Sequence, residues 1–265
     1  MAKRSARRTQ RQPAHYRGGD DLDNVRHLFE DPGWSPLHQS QGSTSKRTKN
    51  HRREDEGQKY RKNIRAQNPA QQQMLDAIDA ASLVFATGAA GTGKTYLAVA
   101  KGVEALEAGK VKRIVLSRPA VEAGESLGFL PGDMEEKLSP YLRPLYDALC
   151  DRLSTKRLKA LTAEGVIEIA PIAYMRGRTL NNAYVVIDEA QNCTYGQLKM
   201  LLTRLGWNSS MVVTGDPAQT DLLPGVSGLE QVVEKLSKID KIGTVQFSRE
   251  DVVRHPLVAE MIDAL

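Results

Sequence analysis

Two stretches carry side chains whose types and spacing suit chemistry on a phosphate chain. The first, Gly88-Ala89-Ala90-Gly91-Thr92-Gly93-Lys94-Thr95, fits G-x-x-x-x-G-K-[ST] at every position. Glycines at this spacing let the backbone curl until successive N–H groups point inward as an anion nest. A helix starting near Lys94 would aim its positive end at the same point. Lys94 supplies a mobile charge for the β- and γ-phosphates of ATP, and the Thr95 hydroxyl is a Mg2+ ligand. The second stretch, YVVIDEAQ at 184–191, is an apolar run ending in two adjacent acids. Asp188 stands where a strand-end acid holds Mg2+. Glu189, one residue on, points differently and can polarise a water for attack on the γ-phosphate. A carboxylate dedicated to water argues for hydrolysis, because a kinase would need an acceptor hydroxyl and a pocket for it.

Elements of the right kind flank both stretches. SLVFAT (82–87) is a short apolar strand leading into the glycine-rich loop, and GKTYLAVAKGVEALEAGK (93–110) predicts a helix ending near Gly109. RIVLSR, VIEIAP, AYVVIDEA, SSMVVTGD and IGTVQFS read as further strands. Upstream, NPAQQQMLDAIDAA places Met74, Ala77, Ile78 and Ala81 at helical spacing. A later helical segment contains Pro140 and Pro144, which should bend it, and HPLVAEMIDAL predicts a closing helix. Strands alternating with helices give an α/β fold with a parallel sheet covered by helices on both faces.

Composition narrows the class. The chain has 265 residues, 40% apolar and 5% aromatic. No run approaches the roughly 18 apolar residues of a membrane helix. The start, MAKRSARRTQRQPAHYR, is basic without a following apolar segment, so it is not a secretory signal. Cys150 and Cys193 give neither a disulfide framework nor metal-ligand spacing, and a cytoplasmic setting follows most simply. Charge is concentrated at one end. Residues 1–66 hold sixteen Lys and Arg against eight Asp and Glu, whereas 67–265 hold 21 against 24. With few apolar residues and no period, 1–66 is expected to be a disordered basic arm, either a nucleic-acid contact or a solubilising tail. Residues 67–265 are expected to be the folded domain.

Six blocks in order give the chain a more specific likeness: GAAGTGKT, SRPAVEAGESLGFLPGD, PIAYMRGRTL, VVIDEAQN, VVTGDPAQTDL and DVVRHPLV. Together they resemble the PhoH family, ATPases related to the superfamily 1 helicases, over residues 67–265. The resemblance implies a single RecA-like P-loop core. It implies that Gln71, in NPAQ, reads the adenine edge, with Gln72 and Gln73 as rivals for that role. Gln219, in GDPAQ, would sense the γ-phosphate, with Asp221 in the same loop. Arg254, in DVVRHPLV, is the candidate arginine finger, acting in cis or from a neighbouring subunit. Arg118 would touch nucleotide phosphates or a bound strand, and Arg176 and Arg178 nucleic acid or an adjacent protomer.

The partner implied by the resemblance is single-stranded RNA or another single-stranded nucleic acid. The folded part carries no overall basic footprint, so phosphate contacts would fall to the arm. Tyr141, Tyr146, Tyr174 and Trp207 are candidate stacking residues but are expected to be packing residues. A single RecA-like core must complete its site from elsewhere, which suggests head-to-tail subunits closing into a ring, most simply a homohexamer. The leading expectation is an ATPase coupled to nucleic-acid binding, translocation or unwinding. The competing one is an ATP-gated switch that binds a protein and unwinds nothing.

Overall fold

The computed structural model describes residues 64–119, 134–253 and 261, with backbone alone over 134–140. The arm as far as residue 63, the segment 120–133, and the closing helix with Arg254 lie outside the described residues, Met261 excepted.

Helix α1 (Pro69–Ala80) opens at Asn68, whose side-chain oxygen accepts from the Gln71 N–H at 2.8 Å, and Pro69 follows as a favoured first helical residue. Strand β1 (Leu83–Gly88) leads through the phosphate loop into α2 (Lys94–Glu107). Then come β2 (Arg113–Arg118), α3 (Met134–Cys150), α4 (Thr155–Ala163), β3 (Ile167–Pro171), β4 (Ala183–Ile187), α5 (Tyr195–Leu202), β5 (Ser210–Gly215), α6 (Leu229–Leu236) and β6 (Ile242–Phe247). Helix α3 is one element across both of its prolines. Short 3-10 turns at 172–175, 190–192, 217–219 and 249–251 follow the ends of β3, β4, β5 and β6. They are too short for periodicity to announce.

All six strands are parallel, in the order β3-β2-β4-β5-β1-β6. Strand β5 therefore lies between the strand feeding the phosphate loop and the strand ending in the acid pair, a RecA-like order. Alternation along each strand splits the core into two layers. Val84, Ala86, Leu116 and Val186 face a layer built with Met74, Leu97, Val103, Leu145 and Leu158 of α1–α4. Phe85, Val115, Ile187 and Val213 face the opposite layer with Leu198, Leu201 and Val232 of α5 and α6. Among the described residues no helix is long and apolar enough to cross a membrane.

Candidate active site

The site forms where β1, β4 and β5 end. Strand β1 stops at Gly88, with φ +120° and directly opposite Phe247 of β6. A Cβ there would lie 1.9 Å from the Phe247 carbonyl oxygen, so this position needs glycine for conformation and for room. The loop then delivers Lys94 as the first residue of α2. Lys94 is a buried residue at the cleft wall, and its ammonium donates to the carbonyls of Gly88 and Ala89, both at 2.7 Å, and to the Thr92 hydroxyl at 3.3 Å. Burial holds its pKa below the usual lysine value, opposed by the charges of Asp216, Glu189 and Asp188.

Asp188 follows β4 and is buried. Its backbone N–H donates to the Ser117 carbonyl at 2.8 Å, and Oδ1 accepts from the hydroxyls of Thr95 at 2.6 Å and Thr214 at 2.7 Å. Oδ2 is buried without a hydrogen-bond partner among the described residues, with Arg118 Nη1 3.6 Å away. A carboxylate oxygen left over beside a threonine hydroxyl is a hard-oxygen donor set that suits Mg2+. Glu189 has φ +51°, uncommon for a residue with a side chain. Its Oε1 meets Arg118 Nη2 at 3.3 Å, and its Oε2 accepts from the Gln191 amide.

A cleft of about 460 Å³ opens over these groups, lined by Lys94, Thr95, Arg118, Asp188, Glu189 and Gln219 among others. The chain thus brings together the glycine loop, both acids, Arg118 and Gln219. Gln71 is the buried member of its glutamine run and packs behind the loop, donating to the Thr92 carbonyl at 3.0 Å and accepting from the Gln67 N–H at 2.8 Å. One amide N–H and one lone pair remain for an adenine edge. Arg176 is exposed away from the cleft. Arg178 is held by Glu168 through two bonds of 2.5 and 2.7 Å. That pairing, opposed by burial and helped by the charges of Arg178 and Arg113, holds the Glu168 carboxyl below its ordinary pKa. Arg254 is outside the described residues, but Val253 donates to the Gly91 carbonyl at 3.0 Å, and the Asn68 amide donates to the Asp251 carbonyl at 2.9 Å.

Three functional-site residues escaped the sequence reading. Gln191 is buried between elements. It donates to Glu189 and to the Gln219 carbonyl, and its oxygen accepts from the Asp216 N–H at 3.0 Å. Asp216 accepts from the Ala90 N–H of the phosphate loop at 3.0 Å. Thr214 fixes Asp188. Each sits at a strand end or just beyond one, and a polar residue embedded there was the available signal. The expectation that Tyr174 and Trp207 are packing residues is corrected: they are 60% and 85% exposed.

A family model described as PhoH-like protein matches residues 63–265. The chain is 58% identical over 204 residues to the PhoH-like protein of Bacillus subtilis (strain 168), an overlap covering 77% of this chain and 64% of that protein. It is 50% identical over 204 residues to Protein PhoH of Escherichia coli (strain K12), covering 76% and 58%. The match thus spans less than two thirds of either relative's length. Among solved structures, the large terminase from a thermophilic bacteriophage aligns with TM-score 0.46 and 12% identity, covering 74% of this chain and 49% of that one.

Proposed function

The chain belongs to the PhoH-like protein family, and on that footing we propose that it binds Mg2+·ATP in this cleft and hydrolyses it. The observation that carries the reading is the convergence of Lys94, Thr95, Asp188 and Glu189 around one cavity, although the two stretches lie far apart in sequence. The phosphate loop and Lys94 bind the triphosphate, Lys94 exchanging its present carbonyl acceptors for phosphate oxygens. Thr95 and Asp188 would hold Mg2+, which when bound neutralises charge on the phosphates. Glu189 takes the proton of a water as its oxygen bonds to the γ-phosphorus and the bond from that phosphorus to the β,γ-bridging oxygen breaks. Arg118, now on the acid pair, would turn to the nucleotide phosphates or to a bound strand. Gln219 senses the γ-phosphate, and Gln71 presents its spare amide group to the adenine. Arg254 is the proposed arginine finger, a role supported by the bond from its neighbour Val253 to the loop.

The finer reading is that single-stranded RNA stimulates this turnover and that residues 1–66 form a separate basic arm supplying phosphate contacts. Support comes from that segment's excess of Lys and Arg. The test compares ATP hydrolysis with and without single-stranded RNA. Lys94→Ala should abolish turnover under both conditions, and removing residues 1–66 should weaken RNA binding and flatten its salt dependence. Stimulation by RNA supports coupling. ATP turnover that ignores RNA, with no strand displacement, leaves the protein-binding switch. No Mg2+-dependent hydrolysis at all overturns the reading.

We also propose that the active form is a head-to-tail ring, a hexamer in the simplest case, because one RecA-like core lacks a second wall for its nucleotide. Arg254, Arg176 or Arg178 would meet the neighbour. Sedimentation with ATP should give a species several times the monomer mass. A monomer with full activity overturns the ring.

A further inference from the structure

Each of the two adjacent acids is satisfied by neutral donors on one oxygen only. Asp188 Oδ1 accepts from the hydroxyls of Thr95 and Thr214, and Glu189 Oε2 accepts from the Gln191 amide. The other oxygen of each acid faces the same guanidinium. Arg118 Nη1 lies 3.6 Å from Asp188 Oδ2, and Arg118 Nη2 lies 3.3 Å from Glu189 Oε1.

The sheet puts the guanidinium there. Arg118 ends β2, and β2 pairs with β4 in a register that sets Ser117 against Ile187. The Asp188 N–H extends that ladder by donating to the Ser117 carbonyl at 2.8 Å. Arg118 therefore leaves β2 level with Asp188, which comes just past the end of β4.

Neither contact of Arg118 is tight. A separation of 3.6 Å is beyond hydrogen-bond distance. The 3.3 Å contact is long for a charge-assisted bond, which usually runs about 2.7–2.9 Å. Arg178, by contrast, closes on Glu168 with two bonds of 2.5 and 2.7 Å. Arg118 is a loose partner, able to exchange carboxylate oxygens for phosphate oxygens.

The charges around the cleft give this contact its meaning. Among the described residues lining it are the acids Asp147, Asp151, Asp188, Glu189 and Asp216, against the cations Lys94 and Arg118. The Lys94 ammonium is engaged by the loop carbonyls and Thr92. Arg118 is the cation set on the acid pair. The surplus of negative charge draws in a divalent cation, yet the oxygen that suits it, Asp188 Oδ2 beside Thr95, is the one Arg118 faces. Two cations crowded at one carboxylate oxygen repel each other strongly in a partly buried site.

Resting on the reading of this cleft as a Mg2+·ATP site, we propose that Arg118 and the divalent cation are alternative occupants of Asp188 Oδ2. The metal alone binds weakly because Arg118 holds its place. The phosphates of a nucleotide draw Arg118 off the acids, so metal and nucleotide bind together. Arg118 is a positioning residue that makes metal binding conditional on nucleotide. By linkage, the same coupling makes the metal strengthen nucleotide binding.

The test titrates the full-length protein with Mn2+, which takes the same hard oxygen ligands as Mg2+, and reads the free ion by paramagnetic resonance. A fluorescent ADP analogue, with and without Mn2+, reads the nucleotide side. In the unmodified chain Mn2+ alone should bind weakly, and Mn2+ should tighten the ADP analogue about tenfold or more. Arg118→Gln should bind Mn2+ alone about tenfold or more tighter, because the competing charge is gone. The gain that Mn2+ gives the ADP analogue should shrink in that variant. Arg118→Lys, which restores a cation, should bring Mn2+ binding back toward the unmodified level. Adding Asp188→Asn to Arg118→Gln should abolish the gained binding, which places the metal on this carboxylate. Arg118→Gln binding Mn2+ no more tightly than the unmodified chain overturns the proposal, as does a gain that survives Asp188→Asn or Arg118→Lys. So does an unmodified chain whose Asp188-dependent Mn2+ binding is as tight without ADP as with it, a result that needs no variant of Arg118. Absence of metal-dependent binding of the ADP analogue in every form is a separate failure: it removes the Mg2+·ATP reading itself, and this inference with it.

Discussion

Glu189→Gln is expected to lower the ATP hydrolysis rate by roughly 10²- to 10⁴-fold, the range of a lost general base, while ATP affinity changes by no more than a few-fold. Glutamine keeps the shape of glutamate, but its single amide oxygen can accept from either Gln191 or Arg118 and not from both, so the pocket keeps its shape with one of those two bonds lost. What disappears is the acceptor for the proton of the attacking water. Single-turnover hydrolysis alongside binding of a fluorescent ATP analogue separates the two effects. A single-turnover rate equal to that of the unmodified protein would remove Glu189 from the chemistry and leave the acid pair as a metal-holding device only.

Gly88→Ala should be the most damaging single-methyl change in the domain. The added Cβ would meet the Phe247 carbonyl at 1.9 Å, and the residue would be held at φ +120°. Overpacking and backbone strain together imply a loss of roughly 2–5 kcal/mol, read as a fall in the urea midpoint, and nucleotide binding should fail with it. Gly177→Ala is the control: φ there is +75°, but nothing lies within 4 Å of the new Cβ, so strain acts without a clash. Its cost should be about 1–2 kcal/mol. Equal losses at the two positions would mean that the end of β1 gives way easily and that β6 does not brace the phosphate loop.

The parts of this domain that sequence makes plain are those written in short, local code. The phosphate loop is a run of eight residues, the acid pair closes an apolar strand, and the strand–helix alternation implies the parallel sheet. What stayed hidden depends on pairings that spacing does not encode. Asp216 meets Ala90 across 126 positions, and Thr214 meets Asp188 across 26. Gln191 sits inside a motif already given to its acids, so its own contacts were overlooked. Arg178 looks free in sequence, yet Glu168 on the edge strand claims it. Tyr184 counts as one more apolar letter in a strand, and only the fold shows its ring packed over Gly102 and its buried hydroxyl without a partner among the described residues. For Trp207, the loop hydrogen bonds decide that the indole faces water.

Gln191 has one short side chain and three attachments: the proposed base, the backbone of Asp216 and the backbone of Gln219. Just beyond, Asn192 grips Asp221 from both sides, its amide donating to the carboxylate at 2.7 Å and its oxygen accepting from the N–H at 2.8 Å. Two adjacent amides therefore clamp the turn that carries Glu189 to the surface loop that follows β5. These bonds tie the turn bearing Glu189 to the loop that carries Leu223, whose side chain is 77% exposed. A partner seated on that leucine would therefore rest on a loop braced by the same amides that hold the acid pair in place.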